Sequence, residues 1–267
     1  MTDDARPSSP RLCVVLVEPA GPINLGSVAR LCANYAIDDL RLVAPRCQPS
    51  DEEARRMAVH GRMVLKKATH HPDLISALQG CRRVVATCGR LDHGTIPLHP
   101  PEQVLPWLLA SPAASELGES RVREGSAALV FGREDHGLSN AELLLSQRVI
   151  KLYSNPDYPS LNLSHAVAVV LHELERCRRQ QTGCGAQPHP QAADEAVDPA
   201  APQQLEGCLE DARNLLLDVG FLLEHTAHAR MAKLQALLQR ALIRSDEVAL
   251  LRGMVRQLNW ALARHRS

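Results

Sequence analysis

A chain of 267 residues, 45% of them hydrophobic, can fold one large domain, or a domain of usual size with a small companion, and is too apolar for global disorder. Aromatic residues at 3% argue against a base-stacking platform of the kind that grips single-stranded nucleic acid. The 30 Lys and Arg balance 30 Asp and Glu, so any nucleic-acid surface has to be a local patch.

The eight cysteines, at 13, 32, 47, 81, 88, 177, 184 and 208, form no C-x-x-C and have no paired histidine spacing, which argues against zinc. Most lie in apolar runs, as buried thiols do in a reducing compartment. The polar start "MTDDARPSSP" has no apolar leader core, and no run is long enough to cross a membrane. A soluble, cytoplasmic protein without a metal is expected.

In chain order, "LCVVLVEP" is a short β-branched strand, and "LGSVARLCANYA" has helical periodicity, with Ser27 as its expected cap. "LRLVAP" is a second strand. "SDEEARRMAV" is a second helix, with Ser50 as cap and acids in its first turn. "MVLKKA", the short helix "PDLISALQG" and the strand "RRVVATCGR" follow, then a proline-punctuated helix near 101–111. "SAALVFG", "SNAELLLSQ" and "RVIKLY" lead to a long helix from about 161 to 181. Buried strands alternating with amphipathic helices predict a doubly wound, largely parallel α/β sheet over residues 1–181.

Composition changes at "TGCGAQPHPQAADEAVDPAAPQQ", and residues 182–202 read as a flexible linker with no apolar pattern to tie its two sides together. The first part is therefore expected to fold alone. Residues 203–267 read as a small all-helical unit. From His228 onward it carries eight Lys/Arg, at 230, 233, 240, 244, 252, 256, 264 and 266, against Asp246 and Glu247. A solvated helix face and an RNA-contacting surface are the two readings of that charge.

Open α/β sheets place ligands beyond the C-terminal ends of their strands. Polar, glycine-containing segments stand at such ends: "PAGPINLGSVAR" with Asn24 and Arg30, "TCGR", "VFGREDHGLSNAEL" with Gly132 and Glu134, and "NPDYPSLNLSHAV" with Ser160 and Asn162. Ser160 and Asn162 are also natural helix caps. No G-x-G-x-x-G, G-x-x-x-x-G-K-[ST] or G-x-S-x-G occurs, which disfavours a dinucleotide fold, a phosphate loop and a serine hydrolase.

"NLGSVAR", "VFGREDHGLSNAEL" and "SLNLSHAVAVVLHE", in this order, resemble the three motifs of the SpoU-type RNA ribose 2′-O-methyltransferases of the SPOUT superfamily. The likeness spans about residues 10–181. "LLLDVGFL", "KLQALLQRA" and "EVALLRGMVRQL" further resemble the TrmJ branch, which methylates the ribose of nucleotide 32 in the tRNA anticodon loop. The resemblance implies a deep trefoil knot in the C-terminal third of the catalytic domain, a homodimer with its site near the interface, tRNA as substrate and S-adenosylmethionine as methyl donor.

Carried over residue by residue, the cofactor contacts fall on Thr87, Cys88, Gly89, Gly132, Leu152, Pro159, Ser160 and Leu161. Cys88-Gly89 and Pro159 stand where other small residues are usual, so their contacts are expected from the backbone. Arg30, Asn24, Glu134, Ser160 and Asn162 form the implied catalytic ring. Arg30 is a base or an orienting cation; a guanidinium with a pKa above about 12 favours orientation, with Glu134 expected to fix it. The alternatives are methylation of rRNA or another tRNA position, a catalytically silent knotted RNA-binding protein, and a NAD-linked enzyme that lacks its glycine fingerprint.

Overall fold

The computed structural model describes residues 11–89, 96–110, 126–155, 157–182 and 198–266. Six parallel strands form the sheet: β1 (Leu12–Val17), β2 (Asp39–Val43), β3 (Thr69–His71), β4 (Cys81–Thr87), β5 (Ser126–Phe131) and β6 (Arg148–Ile150), in the order β3-β2-β1-β5-β4-β6. β5 thus inserts between β1 and β4, and β6 lies outside β4. All six residues of β1 are buried, so its β-branched run is explained by cover on both faces.

Strand alternation divides the core in two. Leu12, Val14 and Leu16 of β1 join Ala127, Leu129 and Phe131 of β5 on one face, and Cys13, Val15 and Val17 join Ala128 and Val130 on the other. The first face is covered by α1 (Pro22–Asn34), α2 (Glu52–Ala58), α3 (Arg62–Lys67), α5 (Pro101–Leu109) and α7 (Leu163–Thr182). Buried Val167, Val170, Leu171, Leu174 and Cys177 give α7 its stripe, and it packs on α1 and α5. On the second face stand the single-turn helices α4 (Leu74–Ala77) and α6 (Asn140–Leu143).

Three longer helices complete the chain: α8 (Pro202–Asp218), α9 (Glu224–Arg240) and α10 (Ser245–Arg266). Leu205, Cys208, Leu209, Ile243 and Val248 form their own small core. They dock on the thin face of the sheet. Gln203 Nε2 donates to Ile75 O (2.7 Å), in α4, and Gln235 and Gln239 both donate to Leu144 O (3.2 and 3.1 Å), at the end of α6.

Several sequence expectations need correction. Ser27 does not cap α1: Pro22 takes the first helical position and Gly21 the N-cap, so Ser27 lies inside the helix and donates to Ile23 O (2.8 Å). Arg30 is therefore more than two turns into α1. Asp51, not Ser50, precedes α2. The expected linker lies mostly outside the described residues, but its end is tied down. Asp198 pairs with Arg83 of β4 at 2.9 Å, and Ala200 N–H donates to Ile243 O. Ties of this kind, an ion pair and side-chain amides on backbone carbonyls, leave no apolar signature in the sequence.

Candidate active site

Glycine sets the geometry of the β5 loop. A Cβ on Gly132 would stand 2.3 Å from the Gly137 carbonyl carbon and 2.4 Å from Leu138 N, so the loop can close on itself only without one. Gly137 turns it with φ +67°. The result aims Glu134 across the strand ends at the start of α1.

There the carboxylate accepts from Ala20 N–H (3.1 Å), Gly21 N–H (3.0 Å) and Asn24 Nδ2 (3.1 Å). α1 has no cap of its own from Gly21 and no acid in its first turn, so a carboxylate from more than a hundred residues away supplies the negative charge at its N-terminus and takes the N–H of the N-cap Gly21 and of Ala20 before it. Burial pushes the Glu134 carboxyl up, but the Gly21 and Ala20 amides and Asn24 outweigh it and hold it below the usual range.

The network continues. Asn24 Oδ1 accepts from Asn162 Nδ2 (3.1 Å), and Asn162 Oδ1 accepts from Ser164 N–H (2.9 Å) and its hydroxyl (2.8 Å). Asn162 is thus the cap of α7, which begins at Leu163, and also one end of a chain that joins all three motifs. Ser160, exposed and outside the helix, is not a cap; its Cα lies 3.8 Å from where a Cβ on Gly89 would stand.

Beside this chain opens a cleft of about 360 Å³. Thr87, Cys88, Gly89, Gly132, Leu152, Pro159, Ser160 and Leu161, the whole expected cofactor set, line it. Glu134 lines it too. Asn24 and Asn162 stand behind Glu134 in the network, while Arg30 is not brought in: it is exposed on α1 and absent from the cleft wall. Nor does Glu134 fix Arg30, as expected, because its oxygens face the α1 amides and Asn24.

Behind the loop lies an ion-pair cluster that sequence spacing does not reveal. Arg133 donates to both oxygens of Glu142 (2.9 Å each) and to Glu18, which also pairs with Arg46. Hydrogen bonds from Arg133 and then Arg46 hold the Glu18 carboxyl down at about 2. Glu18 follows β1 in a left-handed conformation (φ 46°), unusual for a side chain with a Cβ, and its carboxylate is held by two guanidinium groups. "GRED" hints at charge, but partners at 18, 133 and 142 cannot be paired by spacing. Among the described residues no group of three or more His, Cys, Asp or Glu could hold a metal, and no helix is long and apolar enough to cross a membrane.

Comparison with known proteins gives two family matches: the SpoU rRNA Methylase family over residues 11–172, and the tRNA methyltransferase TrmJ C-terminal domain over residues 203–267. The chain is 34% identical over 247 residues to a Klebsiella pneumoniae protein named tRNA (cytidine/uridine-2'-O-)-methyltransferase TrmJ, covering 91% of this chain and 93% of that one. The namesake from Pectobacterium atrosepticum is 32% identical over 243 residues, covering 91% and 94%. The crystal structure of TrmJ from Z. mobilis ZM4 superposes with a TM-score of 0.73 at 29% identity, covering 92% of this chain and 98% of that one.

Proposed function

The chain belongs to the SpoU methylase family, and from that premise we propose that it methylates the ribose 2′-hydroxyl of cytidine or uridine 32 in the tRNA anticodon loop, with S-adenosylmethionine as donor. The observation that carries the reading is the joining of all three motif loops through Glu134, Asn24 and Asn162 at the rim of one cleft. The relatives are named as tRNA (cytidine/uridine-2'-O-)-methyltransferases, which supports tRNA and either pyrimidine as target.

The cleft suits an adenosine-bearing cation. Its volume falls in the usual ligand range of about 300–1,000 Å³, its wall combines the apolar Phe131, Ile150 and Leu152 with the small Gly89 and Gly132, and Glu134 and Asp135 bring carboxylates to it beside Arg133 and Lys151. Thr87 to Gly89, Gly132, Leu152 and Pro159 to Leu161 would hold the donor, whose sulfonium supplies an activated methyl group. The chain's own task is to hold the ribose hydroxyl in line at near-attack distance, an effect that can supply about 7–11 kcal/mol. Ser160 orients that hydroxyl at the mouth. Glu134, Asn24 and Asn162 keep the three loops in register. Arg30 orients the ribose and neighbouring phosphate and stabilises charge as the hydroxyl loses its proton; its place outside its own cleft supports a homodimer in which it serves the partner's site. The same reading includes a trefoil-knotted passage of the loops after β5 and β6, and a cytoplasmic location.

The test is incubation of purified chain with labelled S-adenosylmethionine and an unmodified tRNA transcript, followed by ribose-methylation mapping. Methyl at nucleotide 32 is expected. Methyl only at another position, or only in rRNA, would overturn the substrate, and a chain that binds the donor yet methylates no RNA would be the silent knotted protein.

A further inference from the structure

The helical extension does not sit on the sheet at random: it grips elements that stand directly behind the wall of the cofactor cleft. Gln235 and Gln239 of α9 place both their amide groups on one acceptor, Leu144 O. Gln239 is 7% exposed, a buried polar side chain that needs this bond. Leu144 ends α6, a helix of one turn that cannot hold its own place by helix formation alone. Inside that turn, Glu142 closes a capping box with Ser139 and takes Arg133 through both oxygens. Arg133 lines the cleft between Gly132 and Glu134, and its Nη1 also reaches Gly137 O (3.3 Å). An unbroken path of hydrogen bonds and one helical turn thus runs from α9 to the loop at 132–138.

A second tether works on the neighbouring strand. Asp198, just before α8, pairs with Arg83, which is 3% exposed in β4. β4 ends in Thr87, and the next two residues, Cys88 and Gly89, line the same cleft. Both tethers come from the extension, and each ends one step behind the cleft wall: Leu144 reaches it through Glu142 and Arg133, and Arg83 through the strand that runs on to Thr87.

We propose that Gln235 and Gln239 are positioning residues for the cofactor cleft: by holding α6, the docked extension keeps the loop at 132–138 in the form that binds the donor. The inference rests on the methyltransferase reading above and adds to it a coupling between the two ends of the chain. Linkage makes the coupling reciprocal, so whatever engages the extension and shifts α9 also changes donor affinity.

The experiment uses the full chain and calorimetric titration with S-adenosylmethionine. The pair Gln235→Leu and Gln239→Leu should weaken binding about 10-fold, within the range of about 5- to 150-fold usual for coupled sites. Arg133→Met should weaken it too, and the three changes together should cost less than the product of the separate effects, because they interrupt one path. Hydrogen exchange at residues 132–138 should rise in both variants. Should the leucine pair fail to fold, Gln235→Asn with Gln239→Asn keeps the polarity, shortens the reach and carries the same comparison. Unchanged affinity in the glutamine variant, or effects that simply multiply with Arg133→Met, would overturn the path. Failure of the unaltered chain to bind the donor would instead overturn the methyltransferase reading, and this inference with it.

Discussion

Arg30 and Glu134 are expected partners in the sequence, and their separation in the fold changes what each can do. Arg30 is exposed and makes no hydrogen bond or ion pair among the described residues. Arg30→Ala should therefore leave stability within about 0.5 kcal/mol and donor affinity unchanged, while turnover falls at least ~100-fold, as for a group that stabilises charge developing in the transition state. Single-turnover rates beside a titration of donor binding check this, and near-normal turnover removes Arg30 from the mechanism. The carboxylates behave differently. Glu18, Glu134 and Glu142 all have pKa values below the ordinary 4.5, Glu18 at about 2. A lowered carboxyl stabilises the fold above its unfolded value and loses that contribution as pH falls through the folded one. The unfolding midpoint should thus drop as pH falls from about 4.5 towards about 2. Glu18→Gln should start lower at neutral pH and fall less steeply, because one titrating contribution is gone. Parallel curves for the two proteins would show that the Arg133 and Arg46 pairs do not stabilise the fold.

Among elements, α1 shows how a helix end becomes part of a site. Its sequence offers Pro22 and Gly21 but no capping side chain, and the missing acceptor arrives from the β5 loop as Glu134. The loop in turn depends on the absence of a side chain at 132. Gly132→Ala should force Gly137 and Leu138 away by more than a flexible neighbour allows, at about 1–3 kcal/mol. It should weaken donor binding while the helical extension keeps its own core. Thermal unfolding together with calorimetry tests this, and a variant of normal stability and affinity would mean that the loop has room to relax. The existence of α1, α5, α7 and most strands is legible because a period of 3.6 marks the helices and short β-branched apolar runs mark the doubly covered strands. β3, only Thr69–His71 and without a buried apolar run, is not: it is held by pairing to β2 rather than by its own pattern.

For the whole molecule, the positive charge of the last forty residues divides once the partners are seen. Arg244 pairs with Asp246, Arg252 with Asp211, Arg264 lies over Trp260, and Arg230 bonds Phe221 O. Lys233, Arg240 and Arg256 are exposed with no pair among the described residues, which makes them the best candidates for tRNA phosphates. Their joint replacement by alanine should weaken tRNA binding and flatten its salt dependence, by about 0.7–0.9 in the log–log slope for each phosphate no longer neutralised. Filter binding across a salt series measures this; an unchanged slope would assign the tail to dimerisation or stability. The sequence by itself determined the α/β class, the strand-end placement of three polar motifs and the helical nature of the extension, because each rests on local periodicity or on a contiguous motif, while the residues of the cleft wall came only through the resemblance of those motifs to a known family. Only the tertiary structure decided that Glu134 caps α1, that Arg133 joins Glu18 to Glu142, that Arg30 stands outside its own cleft, and that the extension docks on the thin face of the sheet. Those are bonds between residues up to 115 positions apart, made by single polar groups, and such groups carry no period from which a partner can be read.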